Sequence, residues 1–311
     1  MPFALDPSIA DLISRGAGPA QPTDFRQGDH QRLRAILDDG LAQMSALPVD
    51  PSIIARPFTA TTPDGHALAM TWYTRGDASP GSAVVHFHGG ARIAGSVALY
   101  HPLVAAYVAW TGVPILAVDY RLSPEASGQT AALDGLTALR WIHENREQFG
   151  VEPHRIAVMG DSAGGGVAAS AAIAARDSGL ALARQILIYP MLDDRAQSQD
   201  PQLLAAPTLF SYAYSRTAWD AVRSSLEPGA EPTPLTAAGR NEDFTGLAPA
   251  FIEVGELDIF RAENVAYAQR LWAAGVSTEL HVHPGMTHAY DVLLLGDDRY
   301  QQGKIRAITS L

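Results

Sequence analysis

Val158-Met159-Gly160-Asp161-Ser162-Ala163-Gly164-Gly165-Gly166 is the stretch whose reading decides the fold. It contains a G-x-S-x-G pattern, preceded by the apolar, β-rich run Arg155-Ile156-Ala157-Val158-Met159 and followed by strong helix formers from Val167 to Ala175. A serine squeezed between a strand and a helix sits on a sharp, strained turn, and its hydroxyl projects from the end of the sheet. Gly160 and Gly164 lack the Cβ atoms that such a turn and its closely packed helix would exclude. The bare pattern is common in proteins, whereas the strand-turn-helix frame makes Ser162 the leading nucleophile candidate.

A serine hydroxyl is too weak an acid to attack an acyl carbon unaided. It needs a base, a group to orient the base, and donors where oxyanion charge develops. An apolar strand from Ala83 to Phe87 runs into His88-Gly89-Gly90-Ala91-Arg92. A glycine turn is an ordinary strand ending, but upstream of a serine turn it resembles the H-G-G-G loop of lipases and esterases. That loop shares the oxyanion with the residue after the nucleophile. Gly90, Ala91 and Ala163 are thus the candidate N–H donors, with His88 and Gly89 shaping the loop. For the acid, Pro249 to Gly255 reads as a buried strand, and Glu256-Leu257-Asp258 lies just past its end, where parallel sheets open into a crevice. Glu256 and Asp258 share that address, and Asp258 also suits a cap for a helix from about Ala262 to Ala273. Among ten histidines, His281 and His283 fall on an alternating strand, while His288 follows Pro284-Gly285 on a loop with the reach of a base.

Five ordered motifs carry a wider resemblance: His88-Gly89-Gly90-Ala91 with Gly95-Ser96, Asp119-Tyr120-Arg121-Leu122-Ser123-Pro124-Glu125, Gly160 to Gly165, Gly255-Glu256-Leu257-Asp258, and Pro284-Gly285-Met286-Thr287-His288. Across roughly residues 80 to 290 the chain resembles the bacterial hormone-sensitive-lipase-like (family IV) carboxylesterases of the α/β-hydrolase superfamily. The resemblance implies a Ser-Asp-His triad of Ser162, Asp258 and His288, favouring Asp258 over Glu256 and placing His288 by its G-x-x-H pattern. It implies hydrolysis of short- to medium-chain acyl esters with no cofactor. It also leaves open a receptor-like binding protein, against which the presence of His288 counts, and a lactonase, amidase or dehydratase on the same fold. Three features depart from the family pattern. Ala91 stands for the third glycine, Arg92 for a frequent aromatic residue, and Ala126-Ser127-Gly128-Gln129-Thr130 for a usual His-Pro-Phe-Pro run.

Elsewhere strands and helices alternate. Strands are expected at roughly 83–88, 114–119, 155–160, 184–190, 249–255 and 277–283, and helices at roughly 99–110, 130–148, 163–176 and 261–274. This rhythm predicts an α/β fold with a mainly parallel central sheet and helices on both faces. Two earlier strands, about 56–61 and 67–74, join through the turn signal Pro63-Asp64-Gly65 as an antiparallel edge. Residues 51–192 and 246–311 form the catalytic domain in this reading. In relatives an N-terminal segment and an insertion cap the site, which implies a helical cap from residues 1–50 and 193–245. Phe210, Tyr212, Tyr214 and Trp219 are then candidates for an apolar pocket wall, together with Asp161 and Arg92 at its polar side.

A net charge of −11 opposes nucleic acid and anionic membranes as partners. No stretch is apolar and long enough to span a bilayer, and Met1 to Gly16 lacks the basic and apolar regions of a secretory signal. With no cysteine, a cytoplasmic location is expected. The His86/His88 and His281/His283 pairs each place two imidazoles on one strand face, but no carboxylate sits at ligand spacing beside them, so no metal is expected. Relatives often pair through the last strand and its helix, which implies a homodimer through about 277–283 and 261–274.

Overall fold

The computed structural model describes residues 3–15, 24–45, 47–76, 80–196, 198–204 and 210–311. The alternation read from the sequence becomes one eight-stranded sheet in the order β1-β2-β4-β3-β5-β6-β7-β8. Its strands are β1 (Ile53–Thr61), β2 (Ala67–Arg75), β3 (Gly81–Phe87), β4 (Ile115–Val118), β5 (Val151–Asp161), β6 (Arg184–Ile188), β7 (Ala250–Gly255) and β8 (Thr278–His283). β1 and β2 form the expected hairpin, with Thr61 opposite Ala67. β2 is also antiparallel to β4, and every other pairing is parallel. β5 begins earlier than expected, because Val151 already pairs with Gly81 before a register shift.

Both faces of this sheet are covered, as a parallel sheet requires. One core packs Val85, Phe87 and Val158 against Leu139, Val167, Ala171 and Leu271, from the Thr130–Glu144, Ala163–Asp177 and Arg261–Ala273 helices. The other packs Val84, Ala157 and Ile186 against Tyr107, Val108 and Ile308, from the Val97–Thr111 and Asp298–Thr309 helices. The last helix was not anticipated. Its buried face, Tyr300, Gln301, Lys304, Ala307 and Ile308, mixes polar with apolar residues, so no apolar period marks it.

The chain leaves β3 toward β4 over one face and crosses back from β4 to β5 over the other. β3 and β5 are therefore neighbours whose carboxyl ends open a crevice between diverging connections. Phe87 lies opposite Gly160 in this pair, so the His88 loop and Ser162 emerge side by side. Among the described residues no helix is long and apolar enough to cross a membrane.

The Ala163–Asp177 helix reaches that position only because it starts on glycines. A Cβ on Gly164 would lie 2.0 Å from the Phe87 carbonyl oxygen and 2.5 Å from that of His88. Both are backbone atoms that cannot swing aside. Gly164→Ala is accordingly expected to destabilise the fold by about 3 kcal/mol or more, measured by urea unfolding. A loss below about 1 kcal/mol would mean that the helix seats more loosely than this packing requires.

Candidate active site

Ser162 bridges β5 and its helix at φ +54 and ψ −121, a left-handed conformation that side-chain-bearing residues rarely adopt. Three backbone bonds hold it there: its N–H donates to Ile188 (2.8 Å), and its carbonyl accepts from Gly166 (3.1 Å) and Met191 (2.9 Å). The hydroxyl oxygen lies 2.9 Å from His288 Nε2, and His288 Nδ1 lies 2.7 Å from Asp258 Oδ2. All three side chains are buried, with relative exposures of 7% for Ser162, 5% for His288 and 0% for Asp258. Asp258 Oδ1 accepts from the Phe260 N–H at 2.9 Å, just before the Arg261–Ala273 helix, so the carboxylate orients the imidazole and also caps a chain turn. Glu256, the alternative carboxylate, accepts instead from the Gly285 N–H at 3.0 Å. Leu257 N–H donates to the Met286 carbonyl at 2.8 Å, which pins the loop of His288 against that of Asp258.

The oxyanion candidates lie on a backbone of unusual shape. Gly90, Ala91 and Arg92 have φ of +117, +56 and +64, three left-handed residues in a row. The Gly90 carbonyl accepts from Ile93 and Ala94, closing a tight turn. Among the described residues the N–H groups of Gly90, Ala91 and Ala163 donate to no other group. Gly90 and Ala91 share a pocket with Ser162 and His288. His88 supports the loop by bonding the Gly89 carbonyl at 2.7 Å and stacking on Tyr120 at 4.3 Å, while Tyr120 OH donates to the His88 carbonyl at 2.8 Å. Besides Ala91, Arg92 and Ser162, the side-chain-bearing residues with positive φ among those described are Tyr189 and Ala289, and both line this pocket.

The pocket is a cavity of about 190 Å³ with mostly apolar walls. The His30–Ser45 helix supplies Ile36, Leu37, Leu41 and Met44, the short Tyr290–Leu293 helix after His288 supplies Val292 and Leu293, and Phe210 and Tyr214 close another side. The rings of Tyr189, Phe260 and Phe210 stand 4.7, 5.3 and 5.4 Å from that of His288 and keep its surroundings apolar. Asp161 also lines the cavity, where Tyr100 OH donates to its Oδ2 at 2.7 Å. Burial raises its carboxyl to about 7, against the ordinary 3.8. Burial lowers the neighbouring His86, 3.8 Å away, to about 3.

Three residues expected on the pocket wall stand elsewhere. Tyr212 packs with Leu203 and Leu257, and its hydroxyl accepts from the Asp200 N–H. Trp219, on the Tyr212–Ser224 helix, is buried in one apolar cluster with Leu33, Phe210 and Val222. Arg92 is 2% exposed, and its guanidinium donates to the backbone carbonyls of Gly128 and Thr236. For the two aromatic residues the reason is helical spacing: on the Tyr212–Ser224 helix Tyr214 faces the cavity, Tyr212 lies about 200° around the axis and Trp219 is drawn inward. Arg92 instead turns to the two carbonyls that satisfy its buried guanidinium. Conversely, the walls from Ile36 to Met44, together with Tyr100 and Tyr189, were not singled out from the sequence. The apolar spacing of Leu33, Ile36, Leu37 and Leu41 was the available signal.

Comparison with known proteins agrees with this fold. Residues 84–292 match the model of a family described as having the alpha/beta hydrolase fold. The chain is 31% identical to an ethyl acetate hydrolase of Pseudomonas putida, over 99% of each chain. It is 32% identical to an esterase of Mycobacterium tuberculosis, over 83% of each. Among solved structures it resembles a bacterial heroin esterase with a TM-score of 0.86 and 30% identity, covering 99% of this chain and 98% of the other.

The burial of Asp161 makes stability depend on pH. Folded, this carboxyl keeps its proton up to about pH 7; unfolded, it releases it near pH 3.9. Between these values the folded state holds the extra proton, so stability falls as pH rises through the window. Asparagine keeps the shape and cannot ionise. Asp161→Asn is expected to gain about 2–3 kcal/mol relative to wild type between about pH 5 and about pH 8, read by urea unfolding. A difference that stays constant between the two conditions would contradict a buried, protonated carboxyl.

Proposed function

This chain belongs to the hormone-sensitive-lipase-like carboxylesterases of the α/β-hydrolase superfamily, and on that premise we propose that it cleaves short- to medium-chain acyl esters by two-step acyl transfer at Ser162. The observation that carries this reading is the continuous contact from Ser162 Oγ to His288 (2.9 Å) and on to Asp258 (2.7 Å) at the wall of an apolar cavity.

In the first step His288 Nε2 takes the hydroxyl proton while Oγ attacks the ester carbonyl. Asp258, acceptor-only as a carboxylate, holds the proton on Nδ1 and stabilises the imidazolium that forms. The carbonyl oxygen, now negative, receives the free N–H groups of Gly90, Ala91 and Ala163, each such donor being worth roughly 10²–10³ in rate. His288 then protonates the departing alcohol, leaving the acyl group on Ser162. Water repeats the sequence in reverse roles and releases the acid.

The cavity of about 190 Å³ lies below the roughly 300–1,000 Å³ usual for ligand pockets, which supports a short acyl chain. The resemblance to an ethyl acetate hydrolase points the same way. We assign the cap to residues 1–50 and 193–245; the His30–Ser45 helix and the stretch from Phe210 to Tyr214 supply cavity walls in support. Parts of both segments lie outside the described residues. His288, seated between Ser162 and Asp258, speaks against a purely ligand-binding role.

Steady-state hydrolysis of p-nitrophenyl esters from acetate to palmitate tests the reading. Wild type is expected to peak at short or medium chains, and Ser162→Ala to lower kcat by roughly 10⁴-fold or more. Wild-type rates in the alanine variant would refute Ser162 as nucleophile, and a maximum at palmitate would refute the short pocket.

A further inference from the structure

The three departures from the family's sequence pattern meet at one place in the fold. Arg92 follows Ala91 directly on the oxyanion loop, and its guanidinium reaches the carbonyl of Gly128, inside the altered segment Ala126-Ser127-Gly128-Gln129-Thr130. Its other terminal nitrogen donates to the carbonyl of Thr236, in the 193–245 insertion. Gly128 itself is pressed against that insertion. A Cβ there would lie 2.9 Å from Val222 Cγ1 and 3.0 Å from the Val222 carbonyl oxygen. The Arg92 carbonyl accepts from the Ser123 N–H at 2.9 Å, so the residue is fixed at both backbone and side chain.

This is an unusual use of a buried cation. Buried charges are ordinarily paired, yet among the described residues no carboxylate lies within 4.0 Å of the Arg92 guanidinium. The two carbonyls it bonds are neutral groups on separate segments, and only a planar fork of donors spans both. Burial lowers the group to about 10, which leaves it charged near neutral pH. Residues held in sparsely populated backbone conformations persist only where their surroundings over-determine them. Ala91 and Arg92 are two such residues in succession.

Resting on the serine-hydrolase reading above, the geometry points to Arg92 as a positioning residue for the oxyanion hole: its guanidinium, clamped between the carbonyls of Gly128 and Thr236, holds the left-handed Ala91–Arg92 backbone that aims the Gly90 and Ala91 N–H groups at the substrate oxygen. Arg92 does not touch substrate. Its effect therefore falls on stabilisation of the transition state and leaves ground-state binding alone. On the other side of the same loop, Asp38 accepts from the Gly95 N–H at 2.8 Å, and Arg34 bonds the carbonyls of Ile93 and Ser123. The loop is gripped from both the His30–Ser45 helix and the insertion, and Arg92 is the grip nearest the donors.

The test compares wild type, Arg92→Met and Arg92→Lys, with active sites counted by titration with a fluorophosphonate so that misfolded protein does not enter the rates. A trifluoromethyl ketone, whose adduct on serine places an oxyanion in the hole, serves as probe. Arg92→Met is expected to lower kcat per titrated site by roughly 10- to 100-fold with KM within about twofold. The affinity for the ketone falls by the same factor as kcat/KM. Lysine bridges one carbonyl and not both, so Arg92→Lys lies between wild type and methionine in both readouts. The proposal is overturned if kcat per titrated site and ketone affinity in Arg92→Met match wild type, or if the loss appears in KM alone. Should the methionine variant yield no titratable protein, Arg92→Lys decides: unchanged kcat and ketone affinity overturn the proposal, and a parallel loss in both upholds it. Failure of the underlying reading looks different, because wild type itself would then not titrate.

Discussion

Backbone strain at a handful of side-chain-bearing residues is the constraint that the rest of the structure serves. Ala91, Arg92, Ser162, Tyr189 and Ala289 all have positive φ and all belong to the crevice or its immediate edge. Such conformations cost on the order of 1–3 kcal/mol each, so each needs a neighbourhood that leaves no alternative. Ser162 is held from three sides by Ile188, Gly166 and Met191, and Tyr189 is held through its N–H on the Glu253 carbonyl. Behind Tyr189 lies a buried charged group: Lys304, 0% exposed, sits 2.7 Å from Glu253 and 3.1 Å from Asp291. Asp291 in turn accepts from the Tyr189 hydroxyl and lies three residues beyond His288. Breaking a buried pair of this kind by removing one partner typically costs about 3–5 kcal/mol. The C-terminal helix that carries Lys304 therefore fixes the histidine loop from the sheet face on which both pack.

The same logic runs down to single missing methyl groups. A Cβ on Gly160 would meet the Gly164 carbonyl oxygen at 2.3 Å, and one on Gly255 would meet that of Met286 at 2.3 Å. The first contact lets the helix after Ser162 start where it does. The second lets the loop bearing His288 lie across the end of β7, within reach of Asp258. Parallel pairing then sets the spacing between β3, β5 and β7, from whose ends the oxyanion loop, the serine and the carboxylate emerge. The sheet supplies the positions and the glycines supply the closeness.

Much of this was legible in the sequence where chemistry and backbone demands coincide. Ser162 stands out because glycines flank it between a strand and a helix, while strand ends and chain order narrow the acid to Glu256 or Asp258 and the family resemblance favours Asp258 and His288. Residues whose role depends on tertiary packing were hidden. Arg92 reads as a charge at a pocket mouth, but in the fold it turns inward to two carbonyls supplied by segments some 36 and 144 residues away. Tyr212 and Trp219 look like wall material beside Tyr214, yet helical rotation sends only Tyr214 to the cavity. The cavity wall from Ile36 to Met44 came from the His30–Ser45 helix, whose apolar positions are interspersed with charged residues. The C-terminal helix was missed because its buried face carries Gln301 and Lys304, polar residues that no apolar period reveals.

The central claim is that the strained serine, its histidine and the free N–H groups form one acyl-transfer centre. Rapid acid quenching of the enzyme during turnover of p-nitrophenyl acetate, followed by peptide mass mapping, tests it most directly. The account predicts one acetyl group per titratable enzyme, on the peptide that contains Ser162. Hydrolysis proceeding with no acetylated peptide, or with the label on any other residue, would contradict it.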